Sequence, residues 1–334
     1  MSLSVDVIVN QYCHYYQNMT YEHQEIYNTL LNGYLELKKK IWIKCNDISE
    51  VWEIHQKLTY DIPDVFYIKS LKALTAGLIG MVAVYVEYRF DSSEINAIRE
   101  AMFNQAYILK KRTQMLSEIE TVKVIHDYLV RNVKYEQVDA PYSHEAPGSI
   151  IYGIGVCEGI SKAFKYFADN LGLQSVLVTG NAKNHGYNQN GGHAWNIVYI
   201  GEQPYHIDVT FDYSLSDKCA IRYDYFLISD EEISSDHFFE KDIECSRGFN
   251  YYSHKGCYAT TKTELKNIIN TNLWSAGHVV FQLPYYLKEE ENLAEYIINI
   301  VNEVMPVRLA IRNKVLLRYN IERLVFCLEL TRST

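Results

Sequence analysis

Three short stretches carry side chains able to do nucleophilic chemistry: "GVCEG" at 155–159, "GHAWN" at 192–196 and "HIDVTFD" at 206–212. Cys157 stands between Gly155 and Gly159, directly before a run with helical periodicity. A helix N-terminus carries partial positive charge and unsatisfied N–H groups. It favours a thiolate over a thiol and, with the cysteine's own amide, can hold an oxyanion. A buried core cysteine is the ordinary alternative for any single thiol. The flanking glycines argue for the helix tip, because a packing cysteine has no use for them. His193 opens an alternating stretch, "HAWNIVYI", and Asp208 lies on a second, "PYHIDVTF", with a turn at "GEQ" between them. An antiparallel hairpin folded there sets His193 near Asp208. The imidazole can then take the proton of Cys157 while the carboxylate fixes its tautomer.

The elements that must position these groups follow from hydrophobic period. Ile160, Ala163, Phe164, Phe167, Ala168 and Leu171 fall on one helical face that Gly172 closes. "EIETVKVIHDYLVRNVKYE" is amphipathic, and a polar loop, "QVDAPYSHEAPGSIIYGIG", leads from it to Cys157. "QSVLVTG" reads as a strand. Upstream, helical periodicity at 20–40, the strand "IWIKC", a helix at 47–60, then "VFYIKSL" and "VAVYVEYRF" give the order αβαββ, followed by a helix at 93–112. Downstream, a helix at 261–271, "HVVFQL", a helix at 289–303, "PVRLAI" and "RLVFCLEL" repeat it, with Pro63 and Pro306 in matching places. We therefore expect an N-terminal α/β module at 1–114, a chemically active core at 115–250 and a C-terminal α/β module at 251–334. The last would be a duplicate of the first, chance similarity of a common order being the alternative.

"GVCEGISKAFKYFADNLGL", "VTG", "GHAWNIVYI" and "YHIDVTFD" occur in an order that resembles the catalytic core of the transglutaminase-like superfamily, in its bacterial, papain-like branch. "VIHDYLVRNVKYE" and "YDYFLISDEEISSDH" resemble the flanks of that core, so the likeness covers about residues 117–240. It implies an α+β fold with the cysteine helix packed on an antiparallel sheet, and a Cys157–His193–Asp208 triad. Glu158 departs from the animal enzymes, which usually place Trp after the catalytic cysteine. No tryptophan lies between Trp52 and Cys157 to supply an upstream oxyanion donor; Tyr152 or a loop amide near it is the candidate. Trp195 shares a strand face with His193 and should pack beside the imidazole. His206, on the expected face of Asp208, is a candidate supporting group or a solvated strand residue. His206 and Asn196 stand next in line as orienters. His144 and His185 lie in polar loops that could rim a cleft, or are ordinary loop histidines.

Net charge is −9 and the composition is 48% apolar and 22% charged, so charge implies neither nucleic acid nor an anionic membrane as partner. Seven cysteines, none in a CxxC pair, fit a reducing compartment, and no signal peptide or spanning segment is visible. The expectation is a cytoplasmic protein without cofactor or metal, since no acidic loop suggests calcium ligands. The reaction expected is thioester-forming acyl transfer on an amide of a protein or peptide, with hydrolysis favoured because it needs no second amine site. Glutamine–lysine cross-linking and a non-catalytic peptide-binding module are the alternatives. Oligomeric state is not readable.

Overall fold

The computed structural model describes residues 12–75, 80–136, 142–183, 192–217, 220–289, 292–306 and 313–332. The chain divides into two compact units: Met1–Thr179 with His193–Gln203, and Gly180–Gly192 with Pro204–Thr334.

In the first unit a short helix α1 (His14–Gln17) precedes α2 (Tyr21–Leu35), β1 (Lys40–Lys44), α3 (Ile48–Asp61), β2 (Ile68–Thr75) and β3 (Met81–Tyr88). Thr20 and Asp47 cap α2 and α3 through their side-chain oxygens. The strands form an antiparallel sheet of order β1-β3-β2, with Trp42 opposite Ala83 and Ala73 opposite Val84. Alternation along β1 buries Ile41 and Ile43 and leaves Trp42 exposed. Two helices follow, α4 (Ser92–Thr113) and α5 (Glu118–Asn132), each started by a capping box: Asp91 with Glu94, and Ser117 with Glu120. A parallel pair, β4 (Lys134–Tyr135) and β5 (Ile154–Gly155), brings the chain to α6 (Cys157–Leu171). Helices α4 and α5 pack on α6, whose apolar face is buried through Ile160, Phe164 and Phe167. Gly172 ends α6 at φ 85°, a left-handed conformation that glycine adopts without Cβ strain. Strands β6 (Ser175–Ala182) and β7 (Gly192–Ile200) are hydrogen-bonded neighbours.

The second unit contains β8 (Gln203–Ile207), α7 (Val209–Leu215), β9 (Phe226–Ile228), α8 (Asp230–Ile233) and β10 (His237–Phe238). Here β8 pairs with β9, and β10 with the end of β6, both antiparallel. A short helix α9 (Tyr251–His254) leads to α10 (Lys262–Ala276), β11 (His278–Gln282), α11 (Leu293–Val304), β12 (Asn313–Asn320) and β13 (Val325–Arg332). These last three strands form an antiparallel sheet of order β11-β13-β12. Element order and strand order thus match those of α2 to β3. Leu273, Phe281, Ile297, Leu324 and Leu328 fill the core of this part.

One expectation needs correction. "PYHIDVTF" does not continue as a strand: β8 stops at Ile207 and Asp208 starts α7. Its carboxylate accepts the amide hydrogens of Thr210 and Phe211, which would otherwise be orphaned, and this local bond outcompetes strand propensity. The strand expected at "PVRLAI" falls largely on 307–312, outside the described residues, and the next strand described is β12.

Candidate active site

Cys157 is the first residue of α6 and is half-buried. The preceding Val156 makes no side-chain cap, so the N-cap residue leaves the amides of the first turn uncapped. The helix tip is locked by its neighbours. Val156 donates its amide hydrogen to the Ser143 carbonyl at 2.9 Å. A Cβ on Gly159 would lie 2.2 Å from that same oxygen, and one on Gly155 would lie 2.4 Å from Ser149 Oγ. Both glycines therefore admit close approach, as their places beside Cys157 suggest. The thiol packs against Tyr60, Leu177 and Ala194.

Ala194 belongs to β7, beside His193. Ser161, one turn along α6 from Cys157, donates its hydroxyl hydrogen to the Ala194 carbonyl at 3.0 Å, and Asn196 Nδ2 donates to the Ser161 carbonyl at 3.1 Å. Ser161 and Asn196 are buried, so these bonds pin the histidine strand to the cysteine helix. Asn196 is thus occupied in holding β7. The His193 ring lies over buried Trp195, with centroids 5.7 Å apart and planes at 18°.

Charged groups frame the helix tip. Buried Lys162 contacts Glu145 at 3.0 Å and Glu158 at 2.9 Å, and His144 Nδ1 lies 3.1 Å from Glu158. Burial pushes Glu158 up, but Lys162 and His144 outweigh it and hold the carboxyl at about 2. Glu158 is therefore an anion at any working pH, and its partners tie the 143–145 loop to the cysteine helix. His144 is exposed and held by Glu158, which raises its pKa; His185 lies outside the described residues. Tyr152 ends a one-turn π-helix and stacks on Tyr142 at 4.7 Å, with 46% of its surface exposed.

In the second unit, Asp208 is fully buried at the N-cap of α7. Its Oδ1 accepts from Thr210 N at 2.9 Å and Phe211 N at 3.0 Å. Its Oδ2 lies 3.0 Å from His237 Nε2. The other ring nitrogen of His237 lies 2.6 Å from Asp236 Oδ1, and Tyr225 donates its hydroxyl hydrogen to Asp236 Oδ2. Both nitrogens face carboxylates, an arrangement that favours the doubly donating imidazolium. Burial opposes that charge, but the bonds to Asp208 and Asp236 outweigh it and raise the pKa. His237, Asp236 and Tyr225 were not singled out by sequence reasoning. The available signal was the Asp-His pair inside "ISSDHFF", in a segment flanking the core.

His206 is not a solvated strand residue: it is fully buried, and its Nε2 lies 2.8 Å from Asp230 Oδ1. Among the other described cysteines, Cys13, Cys45, Cys245, Cys257 and Cys327 all have pKa values raised by burial.

Residues 105–209 match the model of the transglutaminase-like superfamily. A comparison with curated proteins found no match. Similar solved structures include a candidate cysteine protease of Cytophaga hutchinsonii, 16% identical, covering 42% of this chain and 61% of that one with a TM-score of 0.29. A TGase is 14% identical over 51% of this chain and 50% of its own, with a TM-score of 0.31. A candidate protease of Parabacteroides distasonis is 12% identical over 41% and 35%, with a TM-score of 0.23. The chain thus spans less than two thirds of the length of each. The matched segment runs from α4 to the first residue of α7 and contains Cys157, His193 and Asp208: the chain carries a transglutaminase-like core in an α+β fold.

Proposed function

We propose that the protein is a cysteine-dependent acyl-transfer enzyme in which Cys157 is the nucleophile, His193 the base and Asp208 the orienter. The observation that carries this reading is the pinning of α6 to β7 by Ser161 and Asn196, with Cys157 on the tip of one and His193 on the edge of the other. In the reaction, His193 takes the thiol proton and Cys157 Sγ attacks an amide carbonyl. The tetrahedral oxyanion is received by the Cys157 amide at the helix N-terminus, and the amine leaves with the proton returned by His193. Water then resolves the thioester. Hydrolysis is the favoured outcome because it needs no site for a second amine, and the substrate is a protein or peptide amide. Residues 1–114 and 251–334 serve, on this reading, as duplicated α/β modules flanking the core.

Limited alkylation with iodoacetamide below neutral pH, mapped by mass spectrometry, tests the nucleophile. Cys157 should be carboxamidomethylated well ahead of the other six thiols. Equal labelling of every exposed cysteine would remove Cys157 from the mechanism and leave a binding module.

A further inference from the structure

A second cluster of titratable side chains lies in the second unit and plays no part in acyl transfer. His206 on β8, Asp230 at the start of α8 and Cys245 in the extended segment beyond β10 each offer one ligand atom, and the three atoms lie within 4.8 Å of one another. His206 and Cys245 are fully buried and Asp230 is 8% exposed. We propose that His206 Nε2, Asp230 Oδ1 and Cys245 Sγ form a binding site for one zinc ion that stabilises the second unit.

The donor set is the first argument. One imidazole nitrogen, one carboxylate oxygen and one thiolate form a mixed set that suits zinc, whereas magnesium and calcium take oxygen alone. Zinc bonds of roughly 2.0–2.3 Å in a tetrahedron put ligand atoms about 3.3–3.8 Å apart. The His206–Asp230 distance of 2.8 Å would open by about half an ångström on the entry of such an ion. Three protein ligands leave a fourth position for water.

The second argument is preorganisation. His206 stands opposite Ile228 in the β8–β9 pair, two residues before Asp230. Asp230 N donates to the Cys245 carbonyl at 2.8 Å, and Cys245 N donates to Asp230 Oδ2 at 3.2 Å. The backbone thus ties together the arms that bear the carboxylate and the thiol, and it occupies the carboxylate oxygen that the ion does not need. Phe239 packs edge-on against His206 with ring centroids 5.0 Å apart, filling the outer side. Metal ligands are commonly fixed by such surrounding contacts.

The third argument is charge. On binding, the imidazole adopts the tautomer protonated at Nδ1 and the thiol gives one proton to solvent. The ion's two positive charges then balance the carboxylate and the thiolate.

The test uses the full chain with Cys157→Ala, so that the proposed catalytic thiol contributes nothing. The chain is refolded under reducing conditions with cobalt(II) or zinc(II), then desalted. One equivalent of metal should be retained, with a thiolate-to-cobalt charge-transfer band. Adding Cys245→Ser should remove the band, and adding His206→Asn should lower retention at least tenfold. X-ray absorption at the zinc edge should report a single sulfur, a reading that needs no further variant to fold. No retained metal, a band that survives Cys245→Ser, or two or more sulfurs would each overturn the proposal.

Discussion

Replacing Asp208 separates its capping role from its charge. Asp208→Asn keeps a side-chain oxygen for the Thr210 and Phe211 amides, which lie 2.9 and 3.0 Å from Oδ1. Its new amide N–H₂ then faces His237 Nε2, where a carboxylate oxygen stood at 3.0 Å. Two donors cannot bond, so His237 must give up its Nε2 proton and accept from the amide while still donating through Nδ1 to Asp236. A charge-assisted bond of about 1.5–3 kcal/mol is exchanged for a neutral one of about 0.5–1.5, so we expect a loss of about 1–2 kcal/mol. Asp208→Ala removes the cap as well and leaves a buried imidazolium with one carboxylate, for a loss of about 3–5 kcal/mol. Urea denaturation at pH 7 measures both, and the ¹⁵N shifts of His237 should show imidazolium in the wild type and neutral imidazole in Asp208→Asn. Asp208→Ala within 1 kcal/mol of wild type, or Asp208→Asn as damaging as Asp208→Ala, would refute this reasoning. If Asp208 also orients His193 as proposed, kcat/KM should fall in Asp208→Asn with the fold retained, in the lower half of a range from roughly 10 to 10⁴-fold whose upper end is the loss seen in a serine protease.

Gly159→Ala should destabilise despite the better helix propensity of alanine, worth about 1 kcal/mol. Its Cβ would sit 2.2 Å from the Ser143 carbonyl, and overpacking against backbone costs about 1–3 kcal/mol or more, read as a lower denaturation midpoint. The raised pKa of His237 makes stability pH-dependent in a defined direction: its contribution is complete below the unfolded value of about 6.5 and is lost as pH rises through the folded one. Asp208 and Asp236 both face that ring, so urea midpoints from pH 6 to 9 should fall in the wild type and flatten in Asp236→Asn. Ser161→Ala should lower kcat more than it raises KM in any amide assay, because it loosens the β7 backbone beside His193 without touching substrate.

The cysteine helix was legible because its signal is local: apolar spacing, two glycines at the tip and one at the end all point the same way. The order of helices and strands from α2 to β3 was legible for the same reason. The state of Asp208 was not. Alternation across "PYHIDVTF" favours a strand, but the carboxylate turns back onto the amides of Thr210 and Phe211 as a local helix cap that alternation does not register. The His237 chain and the His206–Asp230–Cys245 cluster join residues far apart in sequence, so no spacing motif announces either. Trp195 was found beside His193 because two residues apart on one strand is the shortest same-face distance there is.

The central claim is that His193 activates Cys157, and the rate of Cys157 alkylation against pH in wild type and His193→Ala tests it most directly. The account predicts that at pH 6 the wild-type thiol reacts at least about tenfold faster than the variant's, with the two rates converging above pH 9, where free thiols ionise unaided. Superimposable profiles across pH 5 to 10 would contradict it.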